Sequence, residues 1–169
     1  MKSIQYIMLL LLGAVVFSSC EKKDYPAGLQ EYEHHYYAIF VPNNNNGVSV
    51  NRTQATLIKF PVQFYSTFTR SYDAVAQYTI VNPATGAAVI DQDYSIVDRN
   101  GTRITPDGSG VYSMVFPKAV QATDTIYIKL LNSSVPGTRK MEVQMKENKT
   151  DEFYVDIFST AFRRPVEIK

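Results

Sequence analysis

The chain has 169 residues, of which 45 % are hydrophobic and 20 % are charged, a composition typical of a globular protein rather than a disordered one. Its formal net charge of +1 gives no long-range field that would attract nucleic acid, so we expect no nucleic-acid partner. Twelve tyrosines and nine phenylalanines, with no tryptophan, favour strands.

The N-terminal stretch has the pattern of a lipoprotein export signal. A basic residue precedes an apolar run over residues 7–17, and two serines and the single cysteine, Cys20, follow it. The run is about half of the ~20 residues that a bilayer-spanning helix needs, so we expect residues 1–19 to be a cleaved signal peptide. Cys20 would then carry the lipid that anchors the mature chain. The alternative is a structural thiol, because Phe17 stands where a lipobox usually has leucine.

Residues 20–35 are predicted to form the lipidated cysteine and a flexible tether, followed by one domain over residues 36–169. The charged stretch Glu21-Lys22-Lys23-Asp24 resembles the export tag of Bacteroidota surface lipoproteins. That resemblance implies an outer-membrane protein displayed on the cell surface. The alternative is a solvated spacer that lifts the domain off the membrane.

Alternating apolar residues predict short strands along the rest of the chain. We expect strands over residues 36–41, 58–65, 74–80, 89–90, 94–97, 111–116, 125–130, 140–146, 153–158 and 166–168. The run Asn43–Asn46 and the pair Asn100-Gly101 predict turns. Pro61 lacks an N–H group, so its strand is expected at a sheet edge or with a bulge. Strands spaced by turns, without a helical stripe, indicate a single antiparallel immunoglobulin-like β-sandwich.

Four segments, residues 93–96, 100–104, 125–129 and 140–145, resemble the Calx-β type of immunoglobulin-like domain. They are similar in particular to small Bacteroidota surface lipoproteins found beside glycan-uptake systems. The resemblance covers roughly residues 74–146 and implies a fold more than an activity.

Calx-β domains bind calcium through clustered acidic residues, and this chain departs from that pattern. Leu131-Asn132-Ser133-Ser134 stands where an acidic pair normally follows the later strand. Calcium needs six to eight oxygen ligands, so we expect no metal and no cofactor. The remaining acids are expected to form turns instead: Asp91, Asp93, Asp98 and Asp107.

The sequence offers no evident catalytic centre. If Cys20 is lipidated, no thiol remains, and His34 and His35 are adjacent in the tether. Neighbours on an extended chain point to opposite faces, so these histidines cannot readily share a metal ion and are expected to be solvated. We therefore predict a protein that is not an enzyme, and a glycan hydrolase using two carboxylates stays as a third hypothesis.

The leading hypothesis is a lipid-anchored outer-membrane surface protein that acts as an accessory or ligand-binding subunit near a nutrient-uptake system. Its partners would be the membrane, through the lipid, and a glycan or an outer-membrane uptake complex. Tyr65, Tyr72 and Tyr127 are the candidate glycan-binding residues, because sugar C–H faces stack on aromatic rings. Cross-strand packing is the alternative role for these tyrosines.

Two further hypotheses concern surface chemistry. Asp124-Thr125-Ile126 resembles the short O-glycosylation motif of Bacteroidota exported proteins, which implies a glycan on Thr125, and a strand start is the alternative. A structural or adhesive subunit whose edge strands pair with other chains is the alternative function, suggested by Pro61 and the long N-terminal extension.

Overall fold

The structure, a computed structural model, describes residues 34–66, 70–118 and 120–169. Eleven strands and no helix are found in these ranges. The strands are β1 (His35–Phe40), β2 (Val48–Val50), β3 (Ile58–Tyr65), β4 (Ala74–Val81), β5 (Tyr94–Val97), β6 (Val111–Phe116), β7 (Gln121–Leu130), β8 (Arg139–Lys146), β9 (Asn148–Lys149), β10 (Tyr154–Asp156) and β11 (Arg163–Ile168). Cys20 and the predicted signal peptide lie outside the described residues.

The strands form two sheets that pack as a sandwich. One has six strands in the order β5-β7-β3-β1-β10-β9, and the other has five in the order β2-β11-β8-β4-β6. Most neighbouring strands are antiparallel, but β1 pairs with β10, and β2 with β11, in parallel. The predicted all-β sandwich is confirmed, and the two parallel pairs are features that the sequence did not predict.

The core lies between the sheets and takes every second residue of the long strands. In β3 the buried side chains are those of Ile58, Phe60, Val62 and Phe64. The rings of Phe64 and Phe116, from opposite sheets, stack with centroids 5.0 Å apart. Burying each such side chain contributes roughly 1.5–3 kcal/mol. The same alternation leaves the other residues of β3 on the outer face of the six-stranded sheet.

The prediction that the Pro61 strand lies at an edge was wrong, because β3 lies between β7 and β1. The Pro61 carbonyl accepts a hydrogen bond from the Val41 N–H at 2.9 Å. The N–H and C=O of a strand residue point to the same side. The N–H that Pro61 lacks would therefore face Val41, where β1 has already ended at Phe40. Proline thus removes a bond at the end of a ladder, where its loss disturbs no central pairing.

Two other predictions on local structure differ from what is observed. Residues 89–90 do not form a strand: the Asp93 carboxylate accepts the Val89 N–H at 2.8 Å and holds this segment in a turn. The strands β2 and β9 were not predicted, because three and two residues are too few to show an alternation.

The asparagine run forms a turn that is bonded to the C-terminal part of the chain. The Asn45 side-chain oxygen accepts hydrogen bonds from the backbone N–H groups of Phe162 and Arg163, at 2.9 and 3.1 Å. Its amide donates to the Ser159 carbonyl at 2.8 Å. The turn prediction is confirmed, and these amides also act as specific partners of the segment that enters β11.

Arg164 holds the same turn from inside the protein. Only 3 % of its surface is exposed, and its guanidinium donates to the carbonyls of Pro42 and Asn44. The guanidinium carbon also lies 4.9 Å from the centre of the Phe40 ring. Burial lowers the pKa of Arg164 from its ordinary value. Two loop carbonyls thus depend on this one buried cation.

Replacing Arg164 with alanine should lower the free energy of unfolding by about 3 kcal/mol, because the carbonyls of Pro42 and Asn44 would be left without their donor. Arg163→Ala is the matched control, since Arg163 is about half exposed and its nitrogen lies 3.8 Å from Glu142. That exposed pair is worth less than about 1 kcal/mol. Urea denaturation measures both, and equal losses would contradict the role given to Arg164.

Candidate functional site

The outer face of the six-stranded sheet presents aromatic side chains from neighbouring strands. Tyr37 on β1 lies directly opposite Tyr65 on β3, and the two are 39 % and 47 % exposed. On the other side of β1, His35 pairs with Tyr154 and Tyr37 with Asp156. These side chains share one face because their neighbours along each strand are buried in the core.

Ring contacts join His35, Tyr37, Tyr154 and Phe158. His35 stacks on Tyr154 with ring centroids 4.7 Å apart and lies 5.1 Å from Tyr37. Phe158, which is 37 % exposed, meets Tyr37 edge to face at 5.8 Å. We call the resulting surface the aromatic patch, formed by His35, Tyr37, Tyr65, Tyr154 and Phe158.

Polar groups border the aromatic patch at fixed positions. His35 Nε2 donates to the Asp156 carboxylate at 3.0 Å, and both side chains are partly buried. This bond fixes the histidine ring in its stack on Tyr154. Burial and the nearby carboxylates of Asp156 and Glu147 raise the pKa of the Tyr154 phenol. The phenol therefore stays protonated to a higher pH than that of an ordinary tyrosine.

The aromatic patch is suited to an extended ligand with apolar faces and polar edges. It spans three adjacent strands, about 10 Å across the sheet. Its rings offer flat apolar surfaces, and Asp156 and Gln63 supply acceptors or donors beside them. The open sheet face suits a ligand that lies along the surface rather than one enclosed in a cavity.

The structure separates the three tyrosines named from the sequence. Tyr65 belongs to the aromatic patch, whereas Tyr127 lies on the same face but beside Lys59 at the far end of β3. Lys59 is six positions from Tyr65, which corresponds to about 20 Å along the strand. A ligand of modest size cannot contact both tyrosines at once. Binding by either residue stays a prediction.

Tyr72 lies elsewhere, packed against the core. Its ring stacks on Phe153 with centroids 5.6 Å apart, and its hydroxyl bonds to the Tyr36 hydroxyl at 2.7 Å. His34 Nδ1 lies 2.8 Å from the same hydroxyl. Burial, together with the bond to Tyr36, raises the pKa of the Tyr72 phenol. This tyrosine supports the start of β1 rather than offering a free platform.

The expectation that the histidines are solvated in a tether is corrected for His35, which is partly buried in β1, whereas His34 is exposed. His34 bonds to Tyr72, and His35 is the first residue of β1 and bonds to Asp156. The two rings do reach different partners on different sides of the chain, as expected for neighbours on an extended segment. The first described strand therefore begins at His35, within the segment predicted as a tether.

Thr125 lies in the middle of β7, opposite Pro61, and is partly buried on the outer face of the sheet. Its backbone N–H bonds to the Asp124 carboxylate at 2.7 Å. Glycosylation of Thr125 stays a prediction.

The acidic residues weighed as calcium ligands act in turns, as predicted. The Asp98 carboxylate accepts the N–H groups of Asn100 and Thr102, both at 2.8 Å. Asp91 pairs with Arg103 and also accepts the Ser95 hydroxyl. Over residues 34–66, 70–118 and 120–169, no three His, Cys, Asp or Glu side chains group as a metal site. The same ranges contain no helix long and apolar enough to cross a membrane.

No protein-family model and no curated protein matches this chain. Among solved structures, it is similar to the CBD2 domain of Calx, with 13 % identity and a TM-score of 0.49 over 78 % of this chain and 85 % of that one. It is also similar to the apo form of the Calx CBD1 domain, with 12 % identity and a TM-score of 0.47 over 79 % and 97 %. A chain of a type I cohesin–dockerin complex from Clostridium thermocellum gives 10 % identity and a TM-score of 0.36 over 80 % and 99 %. Similarity at this level says nothing about ligands.

Replacing Tyr72 with phenylalanine should lower the free energy of unfolding by about 1 kcal/mol at neutral pH, because it removes the hydroxyl bonded to Tyr36 and His34. The raised phenol pKa means that this stabilisation is present below the ordinary value of 10.0 and is lost as the pH rises above it. The difference from wild type should therefore shrink above pH 10.

Thermal or urea denaturation across this pH range tests the prediction. The matched control is Tyr65→Phe, which changes an exposed tyrosine of the aromatic patch. It should leave the stability nearly unchanged, and an equal loss in both variants would contradict the assignment.

Proposed function

We propose that this chain is a non-enzymatic, lipid-anchored protein of the outer-membrane surface that binds a glycan on its aromatic patch. In this proposal it acts as an accessory subunit near a nutrient-uptake system. The observation that carries the proposal is the cross-strand pair Tyr37 and Tyr65, with Phe158 beside it, held exposed on a sheet face. Exposed apolar patches of this kind are typical of interaction sites.

The charge balance of the aromatic patch favours a neutral ligand. His35 and Asp156 bond to each other, and Lys149 lies 5.7 Å from the centre of the Tyr154 ring. Asp156 and Lys149 thus place charges of opposite sign at the border, and the chain as a whole carries only +1. The electrostatic potential over the aromatic patch therefore has no dominant sign that would favour an ionic ligand. A sugar chain supplies both apolar C–H faces for the rings and hydroxyls for the border.

Removing the rings of the aromatic patch should weaken glycan binding. Tyr37→Ala and Tyr65→Ala are each expected to reduce affinity about tenfold or more, because each removes a stacking surface at the centre of the patch. Tyr127→Ala is the matched control, since it removes a tyrosine from the same sheet face about 20 Å away.

A glycan array with the wild-type domain identifies the ligand class, and calorimetry on the three variants measures the affinities. Equal losses in all three variants, or none, would contradict binding at the aromatic patch. Release of shorter sugars during the assay would favour the hydrolase hypothesis instead. Capture of a protein but no glycan would assign the aromatic patch to a protein interface.

The proposed anchor gives a separate prediction. Cys20→Ala should abolish lipid attachment and shift the protein out of the membrane fraction, because no other cysteine is present. Fractionation, with protease added to intact cells, measures anchoring and surface display. Thr125→Ala keeps the cysteine and should stay in the membrane, while its mass falls if Thr125 carries a glycan. Normal membrane retention of Cys20→Ala would contradict the anchor.

A further inference from the structure

The two sheets end in four edge strands of different character. The edges β2 and β9 are only three and two residues long. The edge β5 is covered in part, because Ile104 N–H donates to the Ile96 carbonyl at 2.9 Å and Arg103 bridges to Val97. The edge β6 has six residues and pairs only with β4. Within the part of the chain that the structure describes, β6 is the longest edge strand.

The outward direction of the β6 backbone follows from Val111. Its N–H donates to the Asp107 carboxylate and its carbonyl accepts the Asp107 N–H, both at 2.9 Å. These groups therefore point away from β4. Alternate residues of a strand point their backbone groups to the same side, so those of Ser113 and Val115 also point outward. Both residues are exposed, Val115 to 57 %.

This outward row is closed at both ends. At one end, the backbone N–H and C=O of Val111 are already hydrogen-bonded to Asp107. At the other end Pro117 has no N–H, and its carbonyl accepts a hydrogen bond from Arg70 at 2.6 Å. Among the residues that the structure describes, no partner is found for two N–H and two C=O groups, those of Ser113 and Val115, which form a short open window.

We propose that two copies of this chain pair antiparallel along β6 through this window. The register sets Ser113 of each copy opposite Val115 of the other and forms four backbone hydrogen bonds. The same register sets Pro117 opposite Val111, two positions that need no further bond. Such an isologous pairing about a two-fold axis is self-complementary and closed. A second copy thus forms hydrogen bonds with the backbone groups of Ser113 and Val115 and needs none from Val111 or Pro117.

The charges that flank β6 favour the same arrangement. No residue of β6 is charged, while Asp107 precedes it and Lys118 follows it. Antiparallel pairing brings Lys118 of one copy beside the turn that holds Asp107 of the other. Parallel pairing in register would instead place Lys118 beside Lys118 and Asp107 beside Asp107. Hydrogen bonds from Val111 and Ser109 hold the pKa of Asp107 below its usual range, so the carboxylate is charged at neutral pH.

The proposed membrane anchor decides where this pairing becomes populated. The free energy gained from four backbone hydrogen bonds is small compared with the translational and rotational entropy that two molecules lose when they associate from dilute solution. Cys20 precedes β1 by 15 positions, so an anchored domain stays within roughly 50 Å of the bilayer. Confinement of that kind raises the effective concentration of the copies. Dimers are therefore expected on the membrane, and the pairing itself is independent of glycan binding.

Cysteine cross-linking of the full chain tests the pairing and its register. Ser113→Cys and Val115→Cys are expressed in the same cells, oxidised in intact membranes and compared with each variant alone. Opposed residues in a hydrogen-bonded antiparallel pair have Cα atoms about 5.5 Å apart, within the range of a disulfide. The mixture should give several-fold more dimer than either variant alone. Both positions are exposed, so the fold should be retained.

The outcomes separate the alternatives. If fractionation finds both variants in the membrane, no excess of dimer in the mixture overturns the pairing, whereas absence from the membrane contradicts the anchor instead. Strong cross-linking of Ser113→Cys alone overturns the register, and equal cross-linking in all three samples indicates random collision and overturns the proposal. Cross-linking should persist when Tyr37→Ala is added, because the pairing does not depend on glycan binding.

A charge variant gives an independent test. Lys118→Glu places an acid beside Asp107 of the other copy and should lower the dimer yield several-fold. Lys129→Glu is the matched control, because it changes an exposed lysine on the other sheet. Equal yields in the two variants would contradict the proposed charge arrangement.

Discussion

The structure depends on the burial of every second side chain between two sheets. The pair Tyr36-Tyr37 shows the consequence most clearly, because one of these adjacent tyrosines is buried and the other is exposed. Tyr36 is 2 % exposed and contributes to the core, while Tyr37 stands at the centre of the aromatic patch. Phe64 and Tyr65 repeat the arrangement on β3. The core that stabilises the sandwich therefore also fixes which rings reach solvent.

Buried arginines hold the ends of this sandwich through backbone carbonyls. Arg164 binds the asparagine turn, and Arg70 lies 4.4 Å from the Phe64 ring centre while it donates to Pro117. Stacking on aromatic rings and bonding to carbonyls offset part of the cost of burying each cation. Arg70 also closes one end of the β6 window. The same interaction that orders an end of the fold thus limits where another chain could pair.

Period-two patterns in the sequence were enough to predict much of the fold. They located β3 and β6 at their observed bounds. The bounds of β5, whose four residues are all buried, were predicted from the turn that follows it. The prediction that the strand of Pro61 lies at an edge was wrong, because the N–H that proline lacks would lie just beyond the end of β1. A local pattern does not show where the next strand in the sheet ends.

The candidate site was only partly predictable, because it depends on which strands are neighbours. Tyr65 could be placed on an outer face from the alternation alone. Tyr154 and His35 are far apart in sequence and meet only because β1 and β10 pair in parallel. Tyr72 looked like an exposed loop residue, yet its ring packs on Phe153. No signal in the sequence indicates these long-range contacts.

The position of β1 inside its sheet has a mechanical consequence for a domain attached through its N-terminal side. With the proposed anchor at Cys20, a pulling force would enter the domain at β1, which is hydrogen-bonded to β3 on one side and to β10 on the other. Tension along β1 loads these bonds in shear, so they must break together rather than one after another. A strand at the sheet edge, joined to one neighbour only, would share the load among fewer bonds. A domain anchored as proposed would therefore resist tension better than one whose first strand lay at a sheet edge.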